Sequence, residues 1–138
     1  MNEYRFMDCK IGMLESFSTE ISELMMDNLC NISGDKNPMH IDSKYAKNHG
    51  YDDKLVYGLL TSSFYSRLVG MYLPGKYCIL KSIEVFFERP VYIGDTLTVT
   101  GRIKDIDERF KQIHINANMK NQNEKTISKA KILVGFYE

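Results

Sequence analysis

A carboxylate and an imidazole lie five positions apart in this sequence, at Asp35 and His40. Pro38 stands between them, and a proline cannot continue a helix because it lacks the N–H group and clashes with the preceding turn. The residue before it, Asn37, is pushed towards extended geometry. Asp35 and His40 therefore cannot share a helix face, but a bent loop that leaves a helix at Gly34 can bring them together. A carboxylate and an imidazole at one spot can hold a water molecule and transfer protons in both directions.

A purely structural role is the alternative for each of these residues. Gly34 can end a helix, and Asp35 and Asn37 can satisfy loop backbone groups. His40 can be an ordinary, partly buried histidine. However, the order G-D-x-N-P-x-H-x-D, which runs from Gly34 to Asp42, resembles the signature of the MaoC-like, (R)-specific enoyl-CoA hydratases, also called the hydratase 2 family. The length of the matching string favours the functional interpretation.

The composition is that of an ordinary globular protein. The chain has 138 residues, of which 43% are hydrophobic and 26% are charged, and we expect one domain over residues 1–138. The net charge is zero, with 18 basic and 18 acidic side chains, so no basic surface for a nucleic acid is indicated. We see no signal-peptide pattern and no apolar run of membrane-spanning length. The sequence therefore predicts a cytoplasmic protein without a nucleic-acid or membrane partner.

Cysteine and histidine spacing argues against a disulfide framework and a metal site. The three cysteines are odd in number, widely spaced and without a C-x-x-C pair, so we expect reduced thiols. The three histidines are also far apart in sequence. We therefore expect no metal ion and structural roles for Cys9, Cys30 and Cys78.

Three helices are predicted in the first half of the chain, after a first strand at residues 13–18. Thr19 is the predicted N-cap of the first helix, which ends at Gly34. Its apolar face is predicted to hold Ile21, Leu24, Met25, Leu29 and Ile32. Asp42 or Ser43 caps a short second helix over residues 44–48. A long third segment, residues 57–73, is apolar around much of its circumference and predicts a buried helix. Its stripe consists of Leu60, Phe64, Leu68 and Met71, widened by Leu59, Val69 and Tyr72.

From Tyr77 onward the apolar pattern alternates with period two, which is typical of strands. Strands are predicted at residues 78–87, 97–103, 113–119 and 128–136, and a polar hairpin loop at residues 121–125. The last three strands follow one another through short loops, which indicates an antiparallel meander. One buried helix followed by such a meander predicts an α+β domain.

The resemblance to the MaoC-like hydratases extends over residues 12–136. The segment Val56-Tyr57-Gly58 is similar to the V-H-G that precedes the central helix of the family. Residues 73–76 resemble the turn that ends this helix, and residues 87–95 resemble the pattern F-x-x-P-V-x-x-G-D. Membership implies a hot-dog fold, in which a curved antiparallel sheet surrounds a long central helix, and a homodimer or higher homo-oligomer.

The resemblance also implies a reaction, the reversible addition of water to a trans-2-enoyl thioester that gives an (R)-3-hydroxyacyl thioester. Asp35 and His40 would hold the water, and the backbone N–H of Gly58 would stabilise the thioester oxygen as it becomes an enolate. The expected catalytic residues are therefore Asp35, His40 and Gly58.

Three further residues are expected to contact the substrate or to organise the loop. Asn37 matches the asparagine that organises the family's loop or orients its water. Ser66 stands where family members can place a hydroxyl near the site, although it can equally be an ordinary helix serine. Tyr57 replaces the histidine of many members; it either shapes the loop or changes the choice of substrate.

Three functions remain open from the sequence. The first is an (R)-specific enoyl-CoA hydratase, which uses a CoA thioester as substrate and needs no cofactor. The second is an (R)-3-hydroxyacyl-[acyl-carrier-protein] dehydratase, although a net charge of zero offers no large basic face to an acidic carrier. The third is a non-catalytic hot-dog module that binds acyl thioesters. Conversion of crotonyl-CoA would distinguish the enzymes from the module.

Overall fold

A five-stranded antiparallel sheet forms the body of the computed structural model, which describes residues 1–137. The strands are β1 (Leu14–Glu20), β2 (Cys78–Phe87), β3 (Thr96–Asp107), β4 (Gln112–Lys120) and β5 (Thr126–Phe136). Their order in the sheet is β1-β3-β4-β5-β2. The helices are α1 (Glu23–Ser33), α2 (Pro38–Ile41), α3 (Ser43–Asn48) and α4 (Gly58–Arg67), and a 3₁₀ turn covers Phe6–Asp8.

The predicted meander is confirmed, because β3 pairs with β4 and β4 pairs with β5 in antiparallel register. Ile115 on the middle strand lies opposite Ile103 on one side and Ile132 on the other. The alternating apolar residues of these strands face one side of the sheet and are buried, as predicted. Ser128 is the one hydroxyl-bearing residue of the predicted inward set, and it is buried too.

The chain crosses from one edge of the sheet to the other between β1 and β2. Within the part of the chain that the structure describes, β1 pairs only with β3, and β2 pairs only with β5. All four helices lie in the connection between these two edge strands. The crossover therefore carries every helical residue of the predicted site across one face of the sheet.

Helix α4 packs its apolar face on the sheet. Leu60, Phe64 and Leu68 are buried, which confirms the centre of the predicted stripe. Leu68 approaches the sheet very closely at Gly101, where an added Cβ would lie 2.6 Å from the Leu68 Cδ2. A central helix packed on an antiparallel sheet is the hot-dog fold that the resemblance to the MaoC-like hydratases implies.

The edges of the predicted stripe were wrong at two positions. Leu59 is 75% exposed and Met71 is 43% exposed. Met71 lies in a π-helical turn, Leu68–Tyr72, that continues α4. A π turn holds more residues than an α turn, so positions beyond Leu68 rotate away from the 3.6-residue stripe. Leu59 lies in the first turn of α4, on the side that faces a cavity rather than the sheet.

The start of α1 was also predicted wrongly. Strand β1 continues to Glu20, and Thr19 lies opposite Leu97 in the sheet, so Thr19 is extended and cannot cap a helix. Ser22 caps α1 instead, and its hydroxyl accepts a hydrogen bond of 3.2 Å from the Met25 N–H.

The buried face of α1 is displaced from the predicted one as a result. Met26 is buried, and Met25, Leu29 and Cys30 are partly buried. Leu24 and Ile32 are 66% and 82% exposed, and Ile21 precedes the helix and is buried. Helix α3 is close to its prediction, because the Asp42 carboxylate accepts a hydrogen bond from the Tyr45 N–H at 3.0 Å and caps it.

Residues 1–137 contain no helix that is long and apolar enough to cross a membrane. None of the three cysteines forms a disulfide in this part of the chain.

A buried hydrogen bond joins α4 to the sheet and gives a stability prediction. The hydroxyls of Tyr65 and Ser128 lie 2.7 Å apart, and both residues are fully buried. Tyr65→Phe should lower the free energy of unfolding by about 1–3 kcal/mol, because the Ser128 hydroxyl is left without its partner. Urea denaturation measures the change. The double variant Tyr65→Phe/Ser128→Ala should recover part of it; an unchanged single variant would show that this bond does not hold the helix.

Candidate active site

Local hydrogen bonds shape the loop that carries Asp35. Gly34 ends α1 in the left-handed conformation at φ 72°, which glycine adopts without a Cβ clash. The Asp35 N–H then donates to the Ser33 hydroxyl at 3.1 Å, and the Asn37 N–H donates to the Asp35 Oδ1 at 3.0 Å. The loop turns sharply as a result, and one carboxylate oxygen of Asp35 is engaged by the backbone.

Asn37 and Pro38 start the short helix α2, where the sequence predicts only a bent loop. The Asn37 side chain is the N-cap of α2 and accepts a hydrogen bond from the Met39 N–H at 2.9 Å, and Pro38 occupies the first helical position. Asn37 is thus placed as a loop-organising residue. It is not among the residues that line the cavity described below.

His40 lies in the last turn of α2, and its ring orientation is set by a backbone carbonyl. The Nδ1 atom is 2.8 Å from the carbonyl oxygen of Leu55. A carbonyl oxygen can only accept, so Nδ1 carries the proton in this contact. The other ring nitrogen, Nε2, is then the acceptor of the neutral imidazole.

Asp35 and His40 line the same cavity. Its volume is about 270 Å³, and its walls include Tyr57 and Gly58 together with Leu29, Ser33, Leu59 and Phe87. A second cavity, of about 330 Å³, shares His40, Gly58 and Phe87 with the first. It is otherwise largely apolar, with Leu55, Val56, Pro90, Val91 and Ile127 in its wall. The site therefore has two arms, which meet at the start of α4.

Gly58 lies at that junction because it is the first residue of α4. The first N–H groups of a helix have no acceptor within the helix, and the helix dipole adds positive potential there. A Cβ at position 58 would lie 3.0 Å from the Cε1 of Phe87. The missing side chain thus leaves room for an aromatic ring or a ligand to approach the backbone.

Tyr57 contacts both members of the pair. Its ring stacks on that of His40 with the centroids 4.1 Å apart, and its hydroxyl donates to the backbone carbonyl of Asp35 at 2.6 Å. Burial raises the pKa of the Tyr57 hydroxyl to about 12, and a hydrogen bond with the Cys30 thiol contributes. Tyr57 is one of the most deeply buried polar groups near the cavity.

The structure brings four of the six predicted residues, Asp35, His40, Tyr57 and Gly58, to one cavity. Ser66 is exposed and lines neither arm, so its predicted contact with substrate has no geometric support here. The sequence reasoning missed Phe87, which lines both arms. Phe87 begins the F-x-x-P-V pattern, and that position was the available signal. Among residues 1–137, no three or more His, Cys, Asp or Glu residues are grouped so as to hold a metal ion.

Comparison with known families decides the membership of the chain. Residues 14–125 match the family described as MaoC like domain. The chain belongs to the MaoC-like domain family. A protein of Rhodospirillum rubrum named (R)-specific enoyl-CoA hydratase is 35% identical over 95 residues, which are 69% of this chain and 66% of that protein. A Methylorubrum extorquens protein named 3-hydroxybutyryl-CoA dehydratase is 30% identical over 73% of this MaoC-like domain and 64% of its own length.

A solved structure shows the same fold. The (R)-hydratase from A. caviae superimposes with a TM-score of 0.89 at 23% identity, covering 94% of this MaoC-like domain and 98% of that chain. At this level of sequence identity, the structural similarity supports a shared fold and nothing more. The domain matches about two thirds of the length of the curated relatives described above.

The Leu55 carbonyl predicts the tautomer of His40. When His40 is neutral, its proton should reside on Nδ1, which is the less common tautomer of free histidine. The ¹⁵N chemical shifts of the two ring nitrogens measure this directly, and the exposed His114 serves as the reference. A proton on Nε2 in the neutral form would contradict the geometry.

Proposed function

We propose that this MaoC-like domain is an (R)-specific enoyl-CoA hydratase, a hydro-lyase that adds water reversibly to a trans-2-enoyl thioester. The observation that carries the proposal is that Asp35 and His40 line one cavity with Gly58 at the start of α4. Two similar proteins are named for hydration or dehydration of CoA thioesters. The product of hydration is the (R)-3-hydroxyacyl thioester.

The Asp35–His40 pair would act on the water. One carboxylate oxygen, Oδ1, is used by the Asn37 N–H, which leaves the other for the water. The His40 Nε2 offers a second acceptor, because Nδ1 is engaged by Leu55. The water gives one proton to this pair while its oxygen bonds to the β-carbon, and the pair passes that proton on to the α-carbon, so that the remaining O–H becomes the 3-hydroxyl group. Positioned proton transfer of this kind contributes about 10²–10⁴-fold.

Gly58 would stabilise the thioester oxygen. Negative charge develops on this oxygen as the enolate forms, and the N–H at the start of a helix is suited to donate a hydrogen bond to it. A donor of this kind contributes roughly 3 kcal/mol to transition-state stabilisation. The two arms that meet at Gly58 would take the acyl chain and the pantetheine on opposite sides of the reacting carbons. This chemistry calls for no cofactor, since the CoA thioester is the substrate.

A CoA thioester is the preferred substrate because the net charge of zero provides no large basic surface for an acidic carrier protein. An acyl-carrier-protein substrate would use the same two residues. The non-catalytic alternative is less well supported, since a simple binding module has no need for a carboxylate and an imidazole in one cavity.

Loss of enoyl-thioester absorbance with crotonyl-CoA tests the proposal. Wild type should produce (R)-3-hydroxybutyryl-CoA, and Asp35→Asn and His40→Ala should each lower kcat/KM by about 10²–10⁴-fold. The matched controls are Asp27→Asn on the exposed side of α1 and His114→Ala on the outer face of β4, which should retain activity. Activity that survives the loss of Asp35, or an (S) product, would refute the mechanism. If wild type does not convert crotonyl-CoA, the same assay should be repeated with longer or carrier-bound enoyl thioesters.

A homodimer is the second part of the proposal. The helix-facing side of β2 is uncovered in one chain: Leu80 is 40% exposed and Ile83 is 38% exposed, although Val134 and Ile132 opposite them on β5 are buried. The other edge of β2 has no strand partner within residues 1–137. A second copy that pairs its own β2 in antiparallel fashion would cover these side chains and complete the backbone ladder.

Ile83→Lys should therefore dissociate the dimer, because a charge would have to be buried at the proposed interface. Sedimentation velocity should show a dimer for wild type and a folded monomer for the variant. Phe110→Lys is the control, since Phe110 is 62% exposed in the β3–β4 turn, away from β2. A monomeric wild type would contradict the proposed assembly.

A further inference from the structure

Asp35 and His40 are held by separate pieces of backbone. His40 is anchored through its Nδ1 to Leu55, at 2.8 Å. With one exception, the hydrogen bonds of the Asp35 loop join residues at most four positions apart: Gly34 to Cys30, Asp35 to Ser33, and Asn37 to Asp35. Such local bonds give the loop its shape. They do not fix its position relative to His40.

One contact in residues 1–137 does fix that position. The hydroxyl of Tyr57 donates to the Asp35 carbonyl oxygen at 2.6 Å, across 22 positions of sequence. Within the described chain, this is the only hydrogen bond of residues 34–37 that reaches beyond the neighbouring turn. The same ring lies against the His40 imidazole, with centroids 4.1 Å apart and planes inclined by 27°.

Tyr57 is itself held in place by burial. Tyr57 is 3% exposed and immediately precedes Gly58 at the start of α4, so its backbone moves with the helix that presents the Gly58 N–H. Through the side chain and backbone of Tyr57, the carboxylate loop, the imidazole and the helix start are joined directly. We propose that Tyr57 is the positioning residue of the site, which sets the distance between Asp35 and His40 through its hydroxyl and its ring. This inference rests on the proposed hydratase function for its kinetic consequence.

Tyrosine is suited to this task in a way that histidine is not. The donor oxygen is attached to the ring carbon farthest from Cβ, so a histidine on the same backbone has no atom where that oxygen lies. The hydroxyl also remains protonated at every working pH, because burial raises its pKa to about 12. It is therefore a constant donor to the Asp35 carbonyl.

Tyr57→Phe is the decisive variant, because it keeps the ring on His40 and removes only the hydroxyl, with its hydrogen bonds to the Asp35 carbonyl and the Cys30 thiol. We expect kcat with crotonyl-CoA to fall about tenfold or more, since small displacements of reacting groups are costly, and KM to change by less than about twofold. Tyr57→His, which restores the residue typical of the family, should not rescue kcat. Tyr137→Phe is the matched control: its hydroxyl donates to the Lys76 carbonyl at the same 2.6 Å, far in sequence from the site residues, and its loss should leave kcat unchanged.

Amide hydrogen exchange supplies a readout that needs no substrate. In Tyr57→Phe, the N–H groups of Asp35 and Asn37 should exchange faster than in wild type, while the amides of α4 beyond its first turn remain protected. Unchanged exchange in the loop, or a kcat no lower than that of Tyr137→Phe, would overturn the inference. If wild type shows no hydratase activity but the loop still loosens in Tyr57→Phe, the proposed function fails and the positioning role of Tyr57 stands.

Discussion

Burial of the central helix against the sheet is the constraint on which the site depends. The face of α4 that carries Leu60 and Phe64 lies in the core, and Leu68 in the following turn packs against Gly101 of β3, where an added Cβ would lie 2.6 Å from the Leu68 Cδ2. The helix cannot slide along the sheet without losing this contact and the Tyr65–Ser128 hydrogen bond. Its first residue, Gly58, is therefore held at one point beside the cavity. A helix start is useful to a developing negative charge only if it stays where that charge forms.

Asp35 and His40 lie on two short, sharply turned segments, the loop of residues 34–37 and helix α2. The left-handed Gly34 ends α1, and the Asn37–Pro38 pair starts α2 after a loop of four residues. Short elements with local hydrogen bonds have little packing of their own. They acquire a defined position from longer-range contacts, which here come from the Leu55 carbonyl to His40 and from Tyr57 to the Asp35 loop. The segment that precedes α4 thus fixes the position of Asp35 relative to His40.

The elements with strong periodicity could be predicted from the sequence. The inward-facing residues of β3, β4 and β5, the burial of Leu60 and Phe64, and the helix end at Gly34 all follow from local patterns. Features that depend on non-local pairing could not be predicted. Thr19 has the chemistry of a helix cap, but pairing of β1 with β3 places it in a strand. Ile32 and Leu59 continue an apolar pattern and yet remain exposed, because the packing of distant elements decides which face of each helix is buried.

In the site, too, local sequence patterns predicted some residues, and non-local contacts determine the others. The sequence motif predicted Asp35, His40 and Gly58, because their order and spacing resemble a known family. The role of the Tyr57 hydroxyl was not predictable, since its acceptor is a backbone carbonyl 22 positions away that no side-chain pattern marks. Phe87 was missed because its place in the cavity wall depends on the end of β2 lying beside Gly58, which is a non-local contact. The extent of the domain over residues 1–138 stays a prediction.

The most direct test of the central claim is a double-variant cycle on the pair. In the proposed mechanism Asp35 and His40 act together on a single water molecule, so removal of either leaves that water unactivated. The values of kcat/KM for crotonyl-CoA should therefore fall by similar factors in Asp35→Asn, His40→Gln and the double variant. Losses that multiply in the double variant would show two independent contributions and contradict the account.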